Sequence, residues 1–408
     1  MRILSDRIIY LDHAGATPLD ETVSKKMASV PHEAYANPSA IHSGGTKARA
    51  LIENSRRAIA RLLFAHPDEI FFTSSGTESD ALALWGVICH VNRERRESLP
   101  HIVTTMIEHP AILENCKRLE RDGLAEVTYV ACDEKGIINP KEIESQIKDS
   151  TVLVSVMYAN NEIGTIQPVQ EIAKVIRHYR KEHASRFPLF HTDAAQAMQY
   201  LPTDNIEKLG VDLLSFNSSK MYGPKGVGIL YKKRDVVLEP VYNGGGQENG
   251  LRSGTENTVA IVGAAIAFEI ACKMKEKENT RLVSLRDYAI EKLLALSSLE
   301  FPIMLNGDKE NRLPNNINIS VGNFSSEHLV IELDSRNIEV SAKSACKADE
   351  PDESYVITAL RKAQGVKSSA TDGSLRISMG RATTKKDIDT VIKNLKEIFA
   401  TYKPWKKA

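Results

Sequence analysis

The sequence places several reactive side chains where a buried strand gives out. Lys220 follows the apolar run LLSF at 213–216, sits behind Asn217, Ser218 and Ser219, and precedes Gly223-Pro224-Lys225-Gly226. A lysine at the carboxyl end of a strand faces the crevice where open α/β sheets bind ligands. Partial burial lowers an ammonium pKa readily and turns the amine into a Schiff-base nucleophile. Such an amine, holding a phosphorylated aldehyde, needs three further groups. They are a phosphate cup, an anion for a ring nitrogen and a polar contact for a ring hydroxyl, which is the demand set of pyridoxal phosphate.

Each has a candidate. In FFTSSGTESDALAL (71–84) an apolar strand runs into Ser75, Gly76, Thr77 and Glu78 and then a helix. Ser75 and Glu78 have capping-box spacing, and the free amides of a helix start favour a phosphate. Asp193 in FHTDAAQAM ends another apolar strand, with Gln196 three residues on. His109 closes HIVTTMIEH and can stack on a ring or move protons. Arg376 in GSLRISMGR offers a planar guanidinium for a carboxylate. Cys346 lies in a polar stretch between Lys343 and Lys347, two cations that favour thiolate. Taken singly, each residue has a plain structural reading too: a surface lysine, a capped helix, an N-cap aspartate, a capping histidine, an ion-paired arginine, an incidental cysteine.

These groups need a scaffold that brings strand ends together. Strand-like segments at 101–107, 125–131, 151–158, 188–194 and 212–218 alternate with helical ones, including an amphipathic helix over 168–183 with proline at its start. Near-continuous apolar strands separated by helices predict a mostly parallel sheet covered on both faces. The segment 227–233 follows too closely for a crossover and is expected to be an antiparallel neighbour. After a long helix from 257 to about 298, shorter strands and helices predict a smaller α+β unit. The expected division is a large α/β domain over 15–256 and a small domain from 1–14 and 257–408.

The bulk figures exclude other classes. The 408 residues carry 53 basic and 53 acidic side chains, so no basic nucleic-acid surface or polybasic membrane patch is expected. Five scattered cysteines without a C-x-x-C argue against a disulfide framework or a metal site, and for a reducing, cytoplasmic setting. Asp6 and Arg7 interrupt the first apolar residues, so no signal peptide is expected, and no apolar run is long enough to span a membrane. No G-x-G-x-x-G follows the first strand, which disfavours a dinucleotide enzyme.

The ordered set YLDHAGATP, TSSGTES, IEHPAI, YANNEIG, HTDAAQ, SFNSSKMYGPKG, GGGQENGLRSGTEN, SAC and LRISMGR closely resembles the cysteine desulfurases, in the group with a long catalytic-cysteine loop. These are pyridoxal-phosphate enzymes of fold type I in the class V aminotransferase superfamily. The resemblance implies that Lys220 carries the cofactor and that Ser75, Gly76 and Thr77 bind its phosphate, helped by Asn217 and Ser219. It implies that Asp193 meets the ring nitrogen, Gln196 the ring oxygen and His109 the ring face. Asn160 and Arg376 would orient the substrate carboxylate, and Thr255 would reach the phosphate of a neighbouring subunit in a homodimer. The implied reaction converts L-cysteine to L-alanine with a persulfide on Cys346, passed to an acceptor such as an iron–sulfur scaffold or a tRNA-thiolation protein. Selenocysteine lyase, another class V reaction or a non-catalytic scaffold of the same fold are the alternatives. Three positions depart from the family pattern: Asn217 for serine, Ser219 for histidine, and Lys343 for glycine. Hydroxyl and amide donors can still serve a phosphate, so a weaker cup is expected.

Overall fold

The computed structural model describes residues 7–94, 98–203, 205–342, 354–366 and 373–402. Its centre is a seven-stranded sheet. In chain order the strands are β2 (Ile70–Thr73), β3 (His101–Thr105), β4 (Glu126–Val130), β5 (Thr151–Ser155), β6 (Leu189–Asp193), β7 (Leu213–Asn217) and β8 (Gly228–Lys232). The spatial order is β2-β8-β7-β6-β5-β3-β4. Only β8 runs against the rest, pairing antiparallel with both β7 and β2. The carboxyl ends of β2, β3, β5, β6 and β7 therefore share one edge, where the chemistry-bearing residues had been placed by sequence. The chain reverses from β7 to β8 through Gly226, whose φ of 81° lies in the left-handed region that glycine adopts without strain.

Strand alternation divides the core. Phe190, Leu214, Phe216 and Ile229 point into one apolar cluster, while Leu189, Leu213 and Leu230 point into the other. The second cluster is covered by α3 (Gly76–Glu94) and α4 (Pro110–Arg121), whose buried residues include Leu82, Val87, Ile112 and Leu119. The crossover helix α6 spans Val169–Glu182, with Pro168 at its N-cap, where a missing N–H costs nothing.

The long helix α8 (Thr258–Leu294) has 37 residues, about 55 Å at 1.5 Å per residue. It starts at Asn257, whose Oδ1 accepts from Ala260 N at 3.1 Å, and it packs on α1 (Glu21–Glu33), α2 (Ser43–Leu63) and the second sheet. That sheet is three-stranded and antiparallel: β12 (Gly373–Ser378), β10 (Asn316–Val321) and β9 (Ile303–Leu305). β9 was not foreseen, because three residues give too little alternation to read. A third pairing joins β11 (Ile338–Glu339) in parallel to β1 (Ile9–Tyr10). Asp12 then bridges to Ser378, so the N-terminal segment ties the small sheet to the edge of the large one. Among the described residues no helix is long and apolar enough to cross a membrane.

Candidate active site

One cavity opens at the carboxyl edge of the main sheet. Ser75, Gly76, Thr77, His109, Asp193, Gln196, Asn217, Ser219, Lys220 and Arg376 all line it. Sequence positions from 75 to 220 converge because each lies at or just beyond a strand end on the same edge, as the crevice rule for open sheets requires, while Arg376 enters from the middle of β12 in the second sheet.

Lys220 sits in a short 3-10 turn, Ser218–Lys220, directly after β7. Its Nζ donates to the Gly15 carbonyl oxygen. The turn is fixed from the N-terminal segment, since Thr17 N and Oγ1 both donate to Ser219 O, at 2.9 and 3.0 Å. Tyr222 N in turn donates to Thr17 Oγ1 at 2.6 Å. The YLDHAGATP segment, legible only as a motif, is therefore the clamp that aims the lysine.

Asp193 terminates β6 with its Oδ1 accepting from Ala195 N at 2.8 Å. Burial raises its pKa, while His109, the Ala195 amide and Lys220 pull it down. His109 caps α4, its Nδ1 accepting from Ala111 N at 3.1 Å. Burial lowers the imidazole pKa, Asp193 opposes that and Lys220 adds to it. Gln196 donates from Nε2 to Ala14 O at 3.0 Å.

The anion cup is the start of α3. Gly76 is buried, and a Cβ there would stand 2.7 Å from Asn217 Nδ2, so glycine lets the loop and the Asn217 amide approach closely. Ser75 Oγ accepts from Glu78 N at 3.1 Å, which is half of the expected capping box. The Glu78 carboxylate goes instead to Ser74, accepting from its N at 2.5 Å, and to Arg252 Nε at 2.8 Å. Burial alone would raise Glu78, but the hydrogen bonds from Arg252, Ser74 and Tyr242 outweigh it and hold the group at about 2. Ser219 donates its hydroxyl to Asn217 Oδ1 at 3.0 Å, so the two residues that depart from the family pattern bind each other and leave the Asn217 amide nitrogen toward the cup.

One expected residue is placed differently. Asn160 is fully buried away from the cavity, with Nδ2 donating to Ile107 O at 2.9 Å and Oδ1 accepting from the amides of Glu162 and Ile163 at 2.8 and 2.9 Å. Its polar atoms are spent on turning the backbone. The next residue, Asn161, lines the cavity instead, and its buried Oδ1 has no hydrogen-bond partner. In a turn, a shift of one position reverses which side chain faces the crevice, and sequence spacing does not settle that. Thr255, expected to serve a neighbouring subunit, is exposed and does not line this cavity. Cys346, with Lys343, lies outside the described residues.

Arg376 is buried at 1% exposure, with Nη2 donating to Asp12 Oδ1 at 2.6 Å and Nη1 to Asn161 O at 3.0 Å, while Nε keeps no partner. Asp80 and Glu108, both buried, were missed by sequence reading. Asp80 lines the cavity. Glu108 accepts from Thr105 Oγ1 at 2.7 Å and from Met157 N at 2.9 Å, and burial carries its pKa to about 8. Among the described residues no cluster of His, Cys, Asp and Glu could hold a metal.

A lysine, a buried carboxylate, a histidine and a helix-start anion cup in one crevice define the pocket of a fold type I pyridoxal-dependent protein. Comparison with known proteins agrees. The family model for aminotransferase class-V matches residues 9–391. The cysteine desulfurase IscS of Dictyoglomus turgidum is 40% identical over 404 residues, covering 98% of each chain. A solved NifS-like protein superimposes with a TM-score of 0.86 at 35% identity, covering 97% of this chain and 100% of that one. A structure described as SspA in complex with cysteine gives 0.74 at 32% identity over 91% of this chain and 98% of that one. The chain belongs to the class-V aminotransferase family, in its cysteine desulfurase branch.

Proposed function

We propose that the protein is a pyridoxal-phosphate-dependent cysteine desulfurase that takes sulfur from L-cysteine onto Cys346 and releases L-alanine. The observation that carries this reading is the convergence of Lys220, Asp193, His109 and the start of α3 on one cavity. The donor set fits the cofactor: amides and hydroxyls at the helix start for a dianion, and a buried carboxylate for a cationic ring nitrogen. Bound pyridoxal phosphate supplies an aldehyde for amine capture and a ring that withdraws electrons from the substrate's α-carbon.

The chain's own residues do the rest. Ser75, Gly76, Thr77, Asn217 and Ser219 hold the phosphate. Asp193 keeps the proton on the ring nitrogen, Gln196 reaches the ring oxygen, and His109 covers the ring face. Arg376 and Asn161 orient the substrate carboxylate, with Asp12 fixing the guanidinium. Lys220 Nζ, once free, removes the proton from the α-carbon. The Cys346 thiolate attacks the substrate sulfur. An S–S bond forms, the C–S bond breaks, and its electron pair stays with the three-carbon fragment, which takes one proton at the β-carbon and one back at the α-carbon from Lys220 and leaves as alanine.

The division of labour is a large domain over 15–256 that seats the cofactor, and a small domain of 1–14 and 257–408 that brings Arg376 and Cys346. Exposed Thr255 supports a homodimer in which it serves the neighbouring subunit's phosphate. The persulfide goes to protein acceptors such as an iron–sulfur scaffold or a tRNA-thiolation partner, in a reducing, cytoplasmic setting. The test is incubation with L-cysteine, followed by mass analysis of Cys346 and an alanine assay. Lys220→Ala is expected to remove the borohydride-reducible cofactor linkage. Cys346→Ala is expected to abolish persulfide while cofactor absorbance persists. Cysteine-dependent sulfide release by Cys346→Ala without added thiol would refute the nucleophile assignment.

A further inference from the structure

On the sheet face covered by α3, three strands turn from apolar to polar at their carboxyl ends. Leu153 gives way to Ser155, Leu189 to His191 and Asp193, and Leu213 to Ser215. Ser155 is the register partner of His191, and Ser215 that of Asp193. His191 is fully buried with both ring nitrogens engaged, Nδ1 with Ser155 Oγ and Nε2 with Ser215 Oγ, each at 2.9 Å. Asp80, in the second turn of α3, closes this row. It is 2% exposed, its Oδ1 lies 3.7 Å from His191 Nε2, and that oxygen has no hydrogen-bond partner.

The charged and titratable groups around Asp80 sort the two neighbouring carboxyls. From β6 come Asp193 and His191, from the segment after β3 Glu108 and His109, and from the turn after β7 Lys220, whose Nζ donates to Gly15 O. From α3 itself comes Glu78, engaged with Arg252, and from β12 comes Arg376, engaged with Asp12. Asp193 has an amide donor and the electrostatic support of His109 and Lys220. Burial, Asp193 and Glu108 oppose the Asp80 carboxylate, which a hydrogen bond with Ser215 favours, and its ion-pair contact among the described residues is with His191, an imidazole that burial holds neutral by lowering its pKa to about 3. Two carboxyls sharing a dry site do not both ionise, and the charge settles on the better-solvated one.

We propose that Asp80 stays un-ionised and acts as a positioning residue, completing the Ser155–His191–Ser215 row and leaving Asp193 as the single anion of the cavity floor. This rests on the cavity being the cofactor's seat. A second anion in α3, four residues after Gly76, would oppose a phosphate at the start of the same helix and a substrate carboxylate at Arg376.

Infrared spectroscopy of cofactor-free protein with isotope-labelled aspartate tests the protonation state without reference to activity. At neutral pH the wild type is expected to show the carbonyl band of an un-ionised aspartic acid, lost in Asp80→Asn. The label separates this band from Glu108. Absence of the band in wild type, or its persistence in Asp80→Asn, overturns the proposal, and Asp80→Ser gives the same reading should Asp80→Asn fail to fold. In the reconstituted enzymes, the pH midpoint of the bound-cofactor absorbance gives a second reading. Asp80→Asn exchanges one neutral group for another and is expected to move it by less than about 0.3 pH unit. Loss of a real negative charge there would lower it by about one unit or more, a ten-fold change in the proton equilibrium, and that result refutes the assignment. Failure to bind pyridoxal phosphate at all would undo the functional reading and leave the infrared result standing.

Discussion

Glu108 offers a direct measurement of how burial keeps a carboxyl beside this site un-ionised. The side chain is fully buried between β3 and the start of α4, with Thr105 Oγ1 and Met157 N as its donors. Burial raises its pKa from 4.5 to about 8 against those hydrogen bonds, with Asp193 adding a smaller push upward. In the unfolded chain the carboxyl ionises near its ordinary value. The native state therefore binds more protons than the unfolded state between those limits. The stabilising contribution is complete below pH 4.5 and is lost as pH rises toward 8. Each pH unit in that window removes about 1.4 kcal/mol, so about 3 kcal/mol goes over about two units below neutrality. Glu108→Gln keeps the size and an acceptor for both donors but cannot ionise. Urea unfolding of cofactor-free wild type and variant, at several pH values from about 5 to about 7, gives the difference in stability. It is expected to shift by about 3 kcal/mol in favour of the variant as pH rises over that range. A difference that stays flat within about 0.5 kcal/mol, or that moves the other way, would mean that Glu108 ionises normally in the folded protein.

Other outcomes follow from single contacts. In β8, a Cβ on Gly228 would stand 2.2 Å from Ser75 O, so Gly228→Ala is expected to displace the anion cup and weaken cofactor affinity at least about ten-fold, read by cofactor titration. Tyr355 in α10 (Tyr355–Ala363) donates its hydroxyl to Glu108 O at 2.6 Å, and Tyr355→Phe is expected to cost about 1 kcal/mol in urea unfolding. Ser354, the N-cap of that helix, donates to the buried Glu162 carboxylate. Ser354→Ala is expected to cost about 1–3 kcal/mol by the same assay, because it removes both a cap and a partner of a buried charge.

Much of the fold was legible because its signals are local. The apolar runs of β3, β5, β6 and β7 are fully or nearly fully buried, and such runs separated by helical segments leave few alternatives to a parallel sheet. The antiparallel turn into β8 followed from the short connection alone. Lys220, Asp193 and His109 were readable because a polar group immediately after a buried strand is costly without a use. Asp80 and Glu108 escaped notice, since an acidic residue early in a helix or beside a histidine reads as capping or as surface. Their burial is set by neighbours far away in the chain: β5, β6 and β7 for Asp80, and Met157 and Tyr355 for Glu108.

By itself the sequence determined the order of elements, the strand edge where the chemistry gathers, and the family, because periodicity and motif order are properties of the chain alone. Only the tertiary structure decided that Asn161 faces the cavity while Asn160 holds a turn, that Thr17 clamps the lysine turn, and that Asp80, Asp193 and Glu108 are buried within electrostatic reach of one another. Side-chain direction in a turn, and the dielectric around a titratable group, depend on contacts between residues remote in sequence, and no local pattern encodes them.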